Sequence, residues 1–203
     1  MARTQAVDFE ARRTAIVEKA AALYAERGFL GASIADLAKA CRTSKSLIYH
    51  YYPSKEDILF DVMHSHVRSL LDAAENVLKA PGNAADKLRA LTSEFMTLYV
   101  GAASRQRVLL NDLDHLPKVR RAIIVGIQRR LVDIVEELLT DIRSDLGARA
   151  ALRWPTAMLY FGMINWTHTW MDASGPAKPD KIAKLAANIF LDGLIASDIP
   201  KQE

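Results

Sequence analysis

Between Ser33 and Pro53 the chain has room for two very short helices separated by a three-residue break. Ser33 is a good N-cap, and Asp36 three residues on completes a capping-box pattern. Ile34, Leu37, Ala38 and Cys41 recur at threes and fours, the spacing of one helical face. The break "RTS" follows. Ser44 then caps a second stretch, "KSLIYHYY", which Pro53 ends because proline lacks the N–H and disfavours helix in the residue before it. The preceding segment, "FEARRTAIVEKAAALYAERGF", puts Ile16, Ala20, Leu23, Tyr24 and Arg27 on one side and has Gly28 as its stop. Two short helices packed on a longer one make a helix-turn-helix.

In such a unit the second short helix enters the major groove of DNA, and its N-terminal N–H groups and dipole favour phosphate. Thr43 and Ser44 can donate to phosphates, as can Ser33 at the other N-terminus of the pair. Lys45 and Ser46 lie in the first turn, where base edges are reached. Tyr49 and His50 follow one turn later, suited to phosphate and sugar. Lys55 opens the next helix and can hold a further phosphate. Ile48 and Tyr52 turn inward, and Leu47 can meet a thymine methyl or pack. The alternative is a protein interface, where tyrosine is also enriched.

Charge placement agrees with DNA. Residues 1–55 hold nine Lys or Arg and five acids, a net +4, which leaves −1 for the other 148 residues of a +3 chain. A basic head on a near-neutral body suits a polyanion-binding module with a separate control domain. The expected division is therefore 1–55 and 56–203.

No alternating strand pattern of useful length occurs, so the fold class expected is all-α, with about nine helices. Ser54 and Asp57 cap a helix running to about Ala80. Helices follow at about Ala84–Gly101, Arg105–Leu113, Pro117–Leu146, Trp154–Asp172 and Pro179–Ile195, the last two split by the loop "ASGPAKP". The helix ending near Ala80 is long enough to link head and body as a two-state element. The final helix offers Ile182, Leu185, Ala186, Ile189 and Phe190 for pairing with a second subunit in a four-helix interface. Large apolar groups with sparse polar ones suit a small-molecule site. Phe95, Tyr99, Leu109, Arg120, Tyr160, Asn165 and Trp166 form the candidate ligand-binding set, against the alternative of a plain aromatic core.

No nucleophile elbow, phosphate loop, GxGxxG or HExxH is present, so no enzyme, cofactor or metal is expected. Cys41 reads as a small core hydrophobe. His64 and His66 point to different faces, and His115 beside Asp112 and Asp114 reads as polar surface. One cysteine allows no internal disulfide and fits a reducing, cytoplasmic setting. The start "MARTQAVDFEARR" has no apolar leader core, and "WPTAMLYFGMINWTHTWM" reads as a buried helix rather than a membrane span.

Residues 12–59 resemble the N-terminal domain of the TetR family of bacterial transcriptional repressors, through "AAALYAERGFLGASIADLAKAC" and "SKSLIYHYYPSKEDIL". The resemblance implies a homodimer on a palindromic operator, with Ser44, Lys45, Ser46, Tyr49, His50 and Lys55 at positions that usually touch DNA. Arg42 and Thr43 stand where the family commonly has glycine and valine, so Arg42 must take a glycine-like backbone or shift the turn. Leu47 stands where a small hydroxyl residue is common. The stretch "GMINWTHTWMDASGPAKPDKIAKLAANIFLDGL" is similar to the C-terminal domain of a branch that controls degradation of fatty acids, sterols or aromatic acids and often responds to CoA thioesters. A regulator of multidrug efflux sensing lipophilic drugs, and a helical interaction module without DNA binding, are the competing readings.

Overall fold

Helices of seven residues are marginal alone, so the architecture is best followed from what surrounds them. The computed structural model describes residues 2–172 and 175–196; the first two residues of the "ASGPAKP" loop lie outside that range. Every regular element among the described residues is helical: α1 (Ala2–Gly31), α2 (Ile34–Ala40), α3 (Lys45–Tyr51), α4 (Lys55–Lys79), α5 (Ala84–Gly101), α6 (Ala103–Asn111), α7 (Lys118–Ile142), α8 (Ser144–Gly147), α9 (Ala150–Asn165) and α10 (Pro179–Ala196). Short 3-10 turns follow α6 at Leu113–His115 and α9 at Trp166–Thr169. No described helix is long and apolar enough to cross a membrane.

The chain forms two compact units, one from the residues up to Val67 with Ala102–Val125, the other from Arg68–Gly101 with the residues from Gly126 onward. Compactness thus groups the helix-turn-helix with half of α4, with α6 and with the start of α7, rather than dividing at residue 55. Helices α4 and α7 contribute to both units.

In the first unit, Ile16, Ala20 and Tyr24 of α1 are buried, as are Leu37, Ile48, Ile58, Leu59 and Val62. Gly28 breaks α1 with φ 72° and ψ 159°, a conformation open in practice only to glycine. The α2–α3 turn is a Schellman motif. Thr43 N–H donates to Ala38 O at 2.9 Å and Arg42 N–H to Lys39 O at 3.1 Å. Its left-handed residue is Arg42, φ 52°, the only non-glycine with positive φ among the described residues. The glycine-like backbone anticipated from the sequence is adopted. Deeper in the unit, His66 is buried with Nε2 at 2.7 Å from Gln106 Oε1. Burial holds its imidazole below the ordinary 6.5, and Arg105 pushes the same way against the Gln106 bond.

In the second unit α10 lies along α5, and Leu88, Leu91, Phe95, Met96, Ile134, Val135, Tyr160, Ile164 and Leu191 are buried. Three boundaries in this unit differ from the sequence reading. The long helix expected to Leu146 stops at Ile142, where Arg143 turns out of helix (φ −129°, ψ 93°). Its guanidinium pairs with Asp145 at 2.8 and 2.9 Å and donates to Leu194 O at 2.5 Å, satisfying the end of α10. Helix α9 begins at Ala150 rather than Trp154 and runs through Pro155, which is exposed. It ends at Asn165 rather than Asp172. There Thr167 Oγ1, His168 Nδ1 and Thr169 Oγ1 bond the carbonyls of Ile164, Asn165 and Trp166, three residues back, at 2.6, 2.7 and 2.8 Å. Side chains that bond backbone carbonyls at this spacing compete with the helix ladder and tighten it to 3-10.

Two outcomes follow. Arg42→Gly removes a left-handed penalty, offset in part by greater unfolded-chain freedom, and should stabilise the protein by about 1 kcal/mol in denaturant titration; destabilisation would contradict the strain. For His66, the folded pKa is the lower one, so the unfolded chain takes the proton first. Stability is intact above the unfolded value of 6.5 and falls as pH drops through it toward the folded value. Melting temperature should therefore decline more steeply below pH 6.5 in the wild type than in His66→Gln, and equal slopes would contradict the assignment.

Candidate nucleic-acid interface

Helix α3 is held by its inward side and leaves its outward side clear. Ile48 and Tyr52 are buried, whereas Lys45, Ser46, Tyr49 and His50 are exposed on adjoining positions. Tyr49 is 51% exposed, a large apolar ring left in water next to a lysine and a histidine. Leu47 is half-buried.

The capping serines play unequal parts. Ser33 Oγ accepts from Asp36 N–H at 3.1 Å and donates to Asp36 Oδ2 at 2.5 Å, so its hydroxyl proton is committed inside the capping box. The Ser33 hydroxyl, aided by its backbone N–H, holds the Asp36 carboxyl below its usual range. Ser44 Oγ accepts from Leu47 N–H at 3.1 Å, a bond that leaves its own proton to donate outward at the α3 N-terminus. Thr43 is half-buried in the turn beside it.

Contacts with α1 and α4 fix this helix. Tyr52 OH donates to Asp61 Oδ2 at 2.9 Å, and Arg13 of α1 bonds both groups, with Nε 3.4 Å from Tyr52 OH. Burial is the main cause that pushes the Tyr52 phenol up to about 12, and the hydrogen bond that Arg13 donates to Tyr52 is the main cause that raises the Arg13 guanidinium. At the other end of the same region Phe9 packs on Tyr51 at 4.6 Å and meets the His50 ring edge-on at 6.3 Å. Asp57 accepts from Ser54 Oγ at 2.7 Å and pairs with Arg120, whose guanidinium lies 4.5 Å from the centre of the Phe60 ring.

Lys55 is placed differently from the phosphate contact expected of it. Its Nζ bonds Phe29 O and lies 4.1 Å from the centre of the Phe29 ring. Burial lowers its pKa, against Glu56 and Asp112. Phe29 N–H in turn donates to the buried Asp112 Oδ1 at 3.2 Å, and His115 stacks on the Phe29 ring at 5.5 Å. Lys55 therefore satisfies a carbonyl freed where Gly28 breaks α1. His115 and Asp112 belong to the same cluster, and Asp114 pairs with Arg121 at 2.7 Å.

The other sequence candidates fall into three groups. Phe95, Tyr99 and Tyr160 come together in the core of the second unit, where Phe95 stacks on Tyr99 and Phe161, Tyr160 meets Phe190 edge-on at 5.4 Å, and Thr92 Oγ1 bonds Tyr160 OH at 2.9 Å. Asn165 is half-buried and Trp166 is 65% exposed. Leu109 and Arg120 belong to the first unit, Leu109 buried and Arg120 on Asp57. On α10, Ile182 and Phe190 are half-buried and Ala186 is buried, whereas Leu185 and Ile189 are 55% and 60% exposed. Exposed Trp154, Met158 and Leu159 of α9, absent from the sequence candidates, belong to the same unit; the i, i+4 pair Trp154 and Met158 was the available signal.

Comparison with known proteins accounts for both halves. The description "Bacterial regulatory proteins, tetR family" matches residues 16–62, and "Tetracyclin repressor-like, C-terminal domain" matches residues 81–194, more than half of the chain. A TetR-family transcriptional regulator from Bordetella parapertussis 12822 is 38% identical, with a TM-score of 0.87 over 93% of this chain and 98% of that one. The structure of AibR in complex with isovaleryl coenzyme A and operator DNA is 27% identical, with a TM-score of 0.77 over 88% of this chain and 97% of that one. The HTH-type transcriptional repressor KstR2 of Rhodococcus jostii (strain RHA1) is 23% identical over 190 residues, 90% of this chain and 91% of that protein. A three-helix head with an exposed third helix, a larger helical body and these matches across both make the chain a member of the TetR family of bacterial transcriptional regulators, DNA-binding proteins rather than enzymes.

Proposed function

We propose that the chain is a ligand-responsive repressor that binds a palindromic operator as a homodimer and is released from it by an acyl-CoA thioester, in control of lipid, sterol or aromatic-acid breakdown. The observation that carries the DNA reading is α3 itself: Lys45, Ser46, Tyr49 and His50 are exposed together while Ile48 and Tyr52 anchor the other side. A single head covers only one half-site, and two-fold pairing supplies the other. The pairing surface we assign is the apolar face of α9 and α10, with Trp154, Leu159, Leu185 and Ile189 each more than half exposed. Large apolar groups left in water at helical spacing favour a subunit contact.

The CoA reading rests on the similarity to AibR, whose complex holds both isovaleryl coenzyme A and operator DNA. It is the finer part of the proposal. Phe95, Tyr99 and Tyr160 are closely packed, so a ligand among them must be accompanied by repacking of that aromatic core. Helix α4 supplies residues to both units and is the element through which we expect such repacking to reach the head. The ligand must prefer the state that does not bind DNA, because equal affinity for both states shifts nothing.

The test is a titration of the protein against a duplex selected from its own upstream region, alone and with isovaleryl-CoA and longer acyl-CoAs. We expect specific binding that weakens with salt and is relieved by a thioester. By linkage, DNA must reduce thioester affinity by the same factor. Relief by lipophilic drugs and not by thioesters would replace the effector, and failure to bind any duplex would favour the interaction-module reading.

A further inference from the structure

Arg42 occupies a backbone conformation that costs an L-residue energy, and a glycine would make the same two turn bonds without strain. Strain kept at one position points to a use for the side chain there. Arg42 is exposed, and among the described residues no acid is paired with it. It lines a cleft of about 460 Å³ together with Arg12 and Lys19 of α1 and Leu47 and Tyr51 of α3. Among the described residues no carboxylate lines this cleft. Cys41 is in its wall, and burial pushes the thiol up against a smaller effect of Lys19, which keeps this group neutral. The cleft also includes Thr43, and the next residues are Ser44 and Lys45 at the start of α3, so it adjoins the face already assigned to DNA.

We propose that Arg42 and Lys19 hold a DNA backbone phosphate in this cleft, beyond the groove contacted by α3, and so add affinity without adding sequence preference. The inference rests on the DNA-binding reading above. Its chemistry is that of a phosphodiester: one diffuse negative charge with two free oxygens, matched by a guanidinium fork and an ammonium. Arg42 thus gives up some folding stability for a contact that glycine cannot make.

The experiment measures the salt dependence of binding to a duplex that the wild-type protein has selected from a random-sequence pool. Each phosphate contact contributes about 0.9 to the slope of log K against log salt. We expect Arg42→Gly and Lys19→Ala each to lower the slope, and the double variant to lower it by about that amount in all, with the ratio of affinities for selected and random duplex unchanged. Arg42→Lys should keep the slope, because it keeps the charge. Arg42→Gly should do this while being more stable than the wild type, which separates lost contact from lost fold. Wild-type slopes in both Arg42→Gly and Lys19→Ala would overturn this assignment alone. A changed affinity ratio in Arg42→Gly would also overturn it, by showing that the turn positions α3. A wild type that binds no duplex would overturn the DNA reading and this inference with it.

Discussion

A seven-residue helix does not hold its own shape in water, and this constraint organises the DNA-contacting half of the molecule. Everything α3 offers to solvent depends on what grips its other side. Ile48 is fully buried, and Tyr52 is tied to Asp61 of α4 and Arg13 of α1. These residues are 39 and 48 positions apart in the case of Arg13, so the grip exists only once three helices have met. The capping bonds at Ser33 and Ser44 set where each short helix starts. The Schellman turn sets the angle between them, with Arg42 in its left-handed position.

A second knot ties the same unit together. Gly28 breaks α1, and the freed carbonyl of Phe29 is bonded by Lys55 at the start of α4, while the Phe29 N–H is bonded by Asp112 after α6. Arg120 of α7 reaches Asp57 in the first turn of α4. Such contacts replace water at buried polar backbone groups, which would otherwise carry a large penalty. They also explain why the compact unit contains α6 and the start of α7 in addition to the helix-turn-helix.

Local signals in the sequence were read correctly where one residue decides the outcome. Ser33 with Asp36, Ser44, Ser54 with Asp57, and the Gly28 break all depend on short-range chemistry, and all appear in the structure. The helical class followed from period alone. Long-range partners were illegible, because periodicity gives the face of a helix and not what it meets. Lys55, read as a phosphate ligand, bonds the Phe29 carbonyl for that reason, and Arg120, read as a ligand contact, pairs with Asp57. The ends of α7 and α9 were overrun because apolar spacing continues past them. What stops them is Arg143 reaching the carbonyl of Leu194, and three consecutive side chains turning back on the backbone at Thr167, His168 and Thr169.

The central claim is that two copies of α3 read two successive major-groove faces of one duplex. A hydroxyl-radical footprint combined with methylation interference at guanine N7 and adenine N3 on the selected operator tests it most directly. The account predicts two equivalent patches related by two-fold symmetry, centred about 34–36 Å or a multiple of that apart, with interference confined to the major groove. A single patch, or interference by minor-groove methylation alone, would contradict it.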